Sequence, residues 1–185
     1  MKKYILIAGV NGAGKSTLFH TIDSIQDIPR INTDEIVKEF GRWDNEQDIF
    51  KASKIAVKLI KEYFESNTSF NQETTLCGKS IITNINHAKS LGYYVELHYV
   101  GVDNIDIALE RIKHRVETGG HGIPEEVVKR RFKESLDALI STIPICDQAI
   151  LYDNTVAFNR FAVYENGNII KLSSDIPEWY KRIGI

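Results

Sequence analysis

Short apolar runs alternate along the chain with longer stretches whose apolar residues recur three and four apart, and this alternation predicts most of its elements. Lys3-Tyr4-Ile5-Leu6-Ile7-Ala8 is a continuous apolar run of the kind that forms a buried strand. Ser16-Thr17-Leu18-Phe19-His20-Thr21-Ile22 then places its apolar residues at helical spacing. Ile28-Pro29-Arg30-Ile31-Asn32 reads as a short second strand, ended by Thr33-Asp34-Glu35, a polar start signal for a helix. Ile49, Ala52, Ala56, Leu59, Ile60 and Tyr63 mark one face of a long helix from Glu46 to Ser66, which Asn67-Thr68-Ser69 breaks. A third strand, Phe70-Asn71-Gln72-Glu73-Thr74, leads into a helix through Ile81, Ile82, Ile85 and Ala88 that stops at Gly92. Tyr93 to Val100 is rich in β-branched and aromatic residues and reads as a fourth strand.

Ile105, Ala108, Leu109, Ile112 and Val116 mark a further helix face, which Gly119-Gly120-His121-Gly122 interrupts. Pro124 opens the next helix, with Val128, Phe132, Leu136 and Leu139 inward, and Gln148 to Tyr152 supplies a fifth strand. Strands alternating with helices imply a parallel sheet. The expected fold class is therefore α/β, in three layers, with a five-stranded mostly parallel sheet and a helical lid over Arg111 to Phe132. Phe161 to Glu165 and Asn168 to Leu172 flank Asn166-Gly167, a preferred two-residue hairpin turn, so the chain ends in an antiparallel ribbon.

The 185 residues suit one domain, against roughly 100–200 residues per domain. With 23 basic and 25 acidic residues there is no broad basic surface, which argues against nucleic acid as a main partner. Met1-Lys2-Lys3 before an apolar run has the look of a secretion signal, but the run ends at Val10 without a cleavage-site pattern, so it reads as a first strand. No apolar stretch approaches the roughly 20 residues that span a bilayer. Cys77 and Cys146 form no metal or redox motif, and the expected compartment is a reducing cytoplasm without membrane association.

The chemistry concentrates in Gly9-Val10-Asn11-Gly12-Ala13-Gly14-Lys15-Ser16-Thr17, which matches G-x-x-x-x-G-K-[ST] between a predicted strand and a predicted helix. In that motif backbone N–H groups wrap the phosphates of a nucleotide triphosphate, and glycines take the close, positive-φ positions. Lys15 is placed on the β- and γ-phosphates and the Ser16 hydroxyl on Mg²⁺. Ligands of open α/β sheets bind beyond the carboxyl ends of the strands, which gathers Asn32–Glu35 and Gln72–Thr75 beside this loop. Asp34 is then a candidate general base for an acceptor hydroxyl. The alternative is that Thr33 caps its helix while Asp34 and Glu35 only favour the positive end. Glu73, with Thr74 beside it, is a candidate for a substrate hydroxyl or a magnesium-bound water, or else a solvated acid. No separate strand end of the apolar-run-then-Asp kind is expected.

Arg111 and Arg115 lie four apart on one helix, and Arg130-Arg131 follow the glycine segment on the next, a lid-like layout. Helical phase favours Arg115 and Arg131, which flank the apolar stripes, over Arg130; any of these arginines taken alone also reads as a surface charge. His121 is either a substrate contact or an ordinary loop residue.

Together, the Gly9–Thr17 loop, Asn32-Thr33-Asp34, Gln72-Glu73-Thr74-Thr75, Arg115, Gly119-Gly120-His121-Gly122-Ile123-Pro124 and Arg130-Arg131-Phe132 resemble the zeta-toxin family of P-loop kinases, over Met1 to Asn154. The resemblance implies ATP and Mg²⁺ at Lys15 and Ser16, Asp34 as base, Glu73 as substrate-contacting acid, and Arg115 with Arg131 as lid arginines. It also implies phosphorylation of UDP-N-acetylglucosamine and a separate antitoxin protein. The chain is shorter than the family's best-known members, which leaves little room for an extended nucleotide-sugar pocket. Two readings stand: a small-molecule kinase acting on a sugar, nucleotide-sugar or nucleoside hydroxyl, and a nucleotide-dependent switch that binds a protein partner.

Overall fold

The computed structural model describes residues 1–184. The strands are β1 (Lys3–Ala8), β2 (Arg30–Ile31), β3 (Phe70–Thr74), β4 (Tyr94–Gly101), β5 (Gln148–Asp153), β6 (Asn159–Glu165) and β7 (Asn168–Leu172). The helices are α1 (Lys15–Thr21), α2 (Asp23–Gln26), α3 (Thr33–Phe40), α4 (Glu46–Glu65), α5 (Ser80–Ser90), α6 (Ile105–Glu117), α7 (Glu125–Thr142) and α8 (Glu178–Ile183), with a 3₁₀ turn at Ile143–Ile145. The sheet order is β2-β3-β1-β4-β5-β6-β7. The first five strands are parallel and the last two antiparallel.

The sheet thus has seven strands where five were expected, because the C-terminal ribbon extends the sheet instead of standing apart from it. β6 pairs with the outer edge of β5 and buries Phe161, Ala162, Val163 and Tyr164. β2 is shorter than expected: Pro29 has no N–H to give to a ladder, and its carbonyl accepts from Asn71 N–H at 2.8 Å. α8 and α2 had no periodic apolar pattern to announce them, since each is under two turns long. α8 is held chiefly by the fully buried Trp179, which packs on Tyr99 and Phe161 and donates its Nε1–H to Asp153 Oδ1 at 3.0 Å, and by the buried Tyr180, which packs on Phe161.

β1 is central, and its alternate residues feed two cores. Tyr4 and Leu6 join Phe70, Leu97 and Tyr99 under α4, α5 and α8, while Ile5 and Ile7 join Val100 and Ile150 under α1, α2 and α6. α7 bridges the layers, with Val128 in the second core and Leu139 in the first. Asp153 ends β5 after an apolar run, the pattern that was expected to be absent. It serves structure, accepting from Trp179 and from the Thr155 hydroxyl at 2.7 Å. Both cysteines are free, and burial raises both thiols, that of Cys146 to about 12.

One buried polar group sets a pH dependence. Glu96 Oε1 lies 2.7 Å from His98 Nε2, whose ring Nδ1 is 3.0 Å from the Tyr152 hydroxyl, and Lys3 Nζ sits 3.1 Å from Glu96 Oε2. Burial would raise the Glu96 carboxyl, but His98 and Lys3 outweigh it and hold it at about 2 against 4.5 for a free glutamate. A depressed folded pKa stabilises the fold fully above pH 4.5 and loses that stabilisation as the pH falls towards 2. The contribution is up to about 3 kcal/mol. Thermal melts between about pH 6 and 2 should therefore show a fall in Tm that flattens in Glu96→Gln. A slope unchanged by the substitution would assign acid sensitivity to other carboxylates.

Candidate active site

The loop between β1 and α1 is shaped by close packing against its own protein. Gly12 has φ 82°, and a Cβ there would stand 2.5 Å from the Ala108 carbonyl oxygen of α6, so only glycine fits. Gly9 and Gly14 also have positive φ and abut the Val100 carbonyl and the Asn154 amide. Ala13 is fully buried, and its carbonyl accepts from Asn154 Nδ2 at 2.8 Å. Lys15 is buried at 7% exposure, with Nζ donating to the Val10 carbonyl at 3.1 Å and standing 3.9 Å from Glu73 Oε1. Burial lowers its pKa despite the pull of Glu73 and Asp34.

Glu73, near the end of β3, collects donors from three directions. Its Oε2 accepts from Arg30 Nη2 at 2.6 Å, Asn32 Nδ2 at 3.0 Å and Ser16 Oγ at 3.3 Å. Arg30 is itself held over the Phe19 ring at 3.9 Å and paired with Glu35 at 2.8 Å. Ser16 and Glu73 together offer hard oxygen donors of the type Mg²⁺ takes beside substrate phosphates. Among the described residues no group of three His, Cys, Asp or Glu side chains is placed to hold a metal by itself.

Asp34 sits in the first turn of α3 at 46% exposure. The cap of this helix is Asn32, whose Oδ1 accepts from Asp34 N–H at 2.9 Å, and Thr33 is the first helical residue. The expected Thr33 cap is corrected accordingly: Asn32 has the extended backbone a cap needs. Burial would raise the Asp34 carboxyl, but His121, Lys15 and Arg115 together hold it below the usual range.

Two arginines, Arg111 and Arg115, line the same cleft, and a third, Arg131, bonds the loop beside it. Arg131 Nη1 donates to Asn11 Oδ1 at 3.0 Å, and Arg115 Nε donates to the His121 carbonyl at 2.9 Å. Arg111 donates to the Asn154 carbonyl at 2.8 Å and to Gly12 O at 3.4 Å. Arg130 lies outside, 3.6 Å from Glu134 on the surface of α7. The cleft between these groups has a volume of about 430 Å³ and is lined by Lys15, Ser16, Thr17, Asp34, Glu73 and Arg115 among others.

The family described as Zeta toxin matches residues 1–172 of this chain. The chain belongs to the zeta-toxin family. A relative from Haemophilus influenzae, an uncharacterized protein, is 37% identical over 131 residues, covering 70% of this chain and 92% of the relative. The toxin–antitoxin system PezAT of Streptococcus pneumoniae is similar in structure, with a TM-score of 0.61 at 16% identity, covering 85% of this chain and 70% of that one. The AvrRxo1-ORF1:ORF2 complex with ATP reaches a TM-score of 0.75 at 16% identity. There the match covers 99% of this chain but 63% of the other, so this zeta-toxin chain spans less than two thirds of that protein. At these identities the structural likeness establishes the shared P-loop kinase-like α/β fold.

Within that zeta-toxin fold, Lys15, Ser16, Asp34, Glu73, Arg115 and His121 converge on one cleft, while Thr74 does not join them. Its hydroxyl accepts from the Leu76 N–H at 3.0 Å, inside the turn that ends β3. Asn11 reaches the cleft as the acceptor for Arg131, and Thr17 lines it on the first turn of α1. Four residues of the site were not singled out from sequence: Arg30, Asn32 as an anchor of Glu73, Arg111 as a partner of the loop, and Asn154. Asn154 follows the carboxyl end of β5, so the strand-end rule that selects Asp34 and Glu73 would also have found it. Arg30 carries no such signal. No described helix is long and apolar enough to cross a membrane.

Proposed function

We propose that this protein is an ATP- and Mg²⁺-dependent kinase that transfers the γ-phosphate to a hydroxyl of a sugar, nucleotide sugar or nucleoside. The observation that carries the reading is one cleft lined by Lys15, Arg115 and Asp34, whose carboxyl is held below its usual range, with Arg131 bonded to Asn11 of the same loop. Asp34 accepts the proton of the acceptor hydroxyl as that oxygen forms its bond to phosphorus and the bond to the ADP oxygen breaks. Lys15, Arg115 and Arg131 stabilise charge on the transferred oxygens. Ser16 would hold Mg²⁺ with Glu73 beside it, and the ion would supply positive charge against the phosphate oxygens.

A second cavity, of about 400 Å³, lies between α4 and α5. It reaches Thr33 and Gln72, the neighbours of Asp34 and Glu73, over a floor that includes Ala56, Ile60 and Phe64. In this reading it receives the body of the acceptor. A separate protein partner is part of the proposal, because PezAT and AvrRxo1-ORF1:ORF2 are both two-protein systems.

ADP release with Mg²⁺-ATP, measured with and without N-acetylglucosamine, UDP-N-acetylglucosamine and nucleosides, tests the reading. One class of acceptor should raise the rate about tenfold or more, with the phosphorylated product visible by mass spectrometry. A slow rate indifferent to every acceptor would favour the nucleotide-dependent switch.

A further inference from the structure

His121 makes two contacts that belong to different halves of the cleft. Its imidazole Nε2 lies 2.8 Å from Asp34 Oδ2, and its backbone carbonyl accepts from Arg115 Nε. Arg115 in turn keeps its Nη2 buried in the cleft wall with no hydrogen-bond partner among the described residues, a donor suited to an incoming phosphate oxygen. Gly120 makes the packing possible, since a Cβ there would stand 2.5 Å from Arg115 Cγ. Trp43 closes the other side, 3.5 Å from where a Gly122 Cβ would be. The glycine segment is therefore held against Arg115, Asp34 and Trp43.

We infer that His121 is a positioning residue that couples Arg115 to Asp34, its carbonyl holding the arginine and its imidazole the carboxylate. The inference rests on the proposed reading of Asp34 as the base. The Nε2 contact is at ion-pair distance, but its N–H is not aligned on the carboxylate oxygen, so the ring can re-aim without breaking a formed bond. Capture of a phosphate oxygen by the free Nη2 moves Arg115, and the shared loop carries that movement to the imidazole and so to Asp34. The carboxylate is also faced by Lys15 from α1 and Arg115 from α6, with Glu73 on β3 and with Glu35 and Lys38 on its own helix. Lys15 and Arg115 add to the lowering of this carboxyl by His121. The imidazole therefore both lowers the carboxyl and orients it.

The test compares wild type, His121→Ala, His121→Gln, Asp34→Asn and the double variant His121→Ala/Asp34→Asn. ATP turnover to ADP is followed from about pH 3 to 8, and the Asp34 carboxyl carbon is titrated by NMR over the same range. His121→Ala should lower kcat about tenfold or more and leave the KM for ATP within about threefold, because the Arg115 bond goes to backbone and survives. The acid limb of the rate and the Asp34 titration should both move to higher pH, because the His121 contact that lowers the carboxyl is gone. His121→Gln, which keeps an N–H donor but never a charge, should recover part of kcat without restoring the acid limb. The double variant should be no slower than Asp34→Asn alone. Unchanged titration and acid limb in His121→Ala, or fully additive losses, would overturn the coupling. Wild-type turnover by Asp34→Asn would instead remove the base itself, and the coupling with it.

Discussion

Replacing Lys15 by alanine should abolish ATP turnover and weaken ATP binding by at least about 10²-fold, with the fold retained. The ammonium is buried, yet among the described residues only one of its three donors is used, on the Val10 carbonyl, and Glu73 stands off at 3.9 Å. Two donors in a place shielded from water are thus free for phosphate oxygens, where each charge-assisted bond is worth more than at the surface. The protein tolerates the loss because Glu73 keeps Arg30 and Asn32 as partners, so no carboxylate is left alone. Lys15→Arg should fail almost as badly, since a planar guanidinium does not fit a slot built for a point charge. Calorimetric titration with an ATP analogue, beside circular dichroism, measures both effects. Near-normal turnover in Lys15→Ala would remove the nucleotide site from the centre of the function.

Asp34→Asn should lower phosphoryl transfer by about 10²-fold or more while ATP affinity stays within about threefold. The two effects separate because Asp34 makes no bond to the phosphate loop; its partners are His121 through the side chain and Asn32 through the backbone. The Asn32 cap survives the substitution, so α3 should start where it does now. The sign of the pH dependence follows from the lowered carboxyl: in wild type it stays ionised throughout the neutral range, and transfer falls only when the pH drops below the usual carboxylate range. Single-turnover kinetics with saturating ATP isolate the chemical step. Equal losses of ATP binding and turnover would make Asp34 a magnesium or structural residue.

Much of the candidate site was legible because it lies at strand ends, and strand ends follow from local pattern. Asp34 and Glu73 come out of the rule that ligands gather at the carboxyl edge of a parallel sheet. Helical phase alone separates Arg131, which turns to Asn11, from Arg130, which turns to Glu134. Arg111 was left unassigned by the same reasoning, because its partners, Gly12 and Asn154, lie 99 and 43 residues away. Arg30 was invisible for a similar reason: Glu73, Phe19 and Glu35 come from three separate elements.

The division has a physical cause. Periodicity, glycine positions and helix starts express steric and hydrogen-bonding preferences that act over a few residues, so the linear chain by itself determined the order of the strands and the longer helices, the phosphate loop and its flanking elements. It also determined that the glycines of that loop are required, though not what they pack against. The pairing of distant segments depends on which surfaces meet once two cores form on the faces of one sheet. Only the tertiary structure decided that the C-terminal ribbon joins β5, that Thr74 turns into its own loop, and that the glycine segment brings His121 onto Asp34 while Arg115 holds its carbonyl. Those outcomes are set by long-range packing and charge pairing, which leave no periodic trace in the order of the residues.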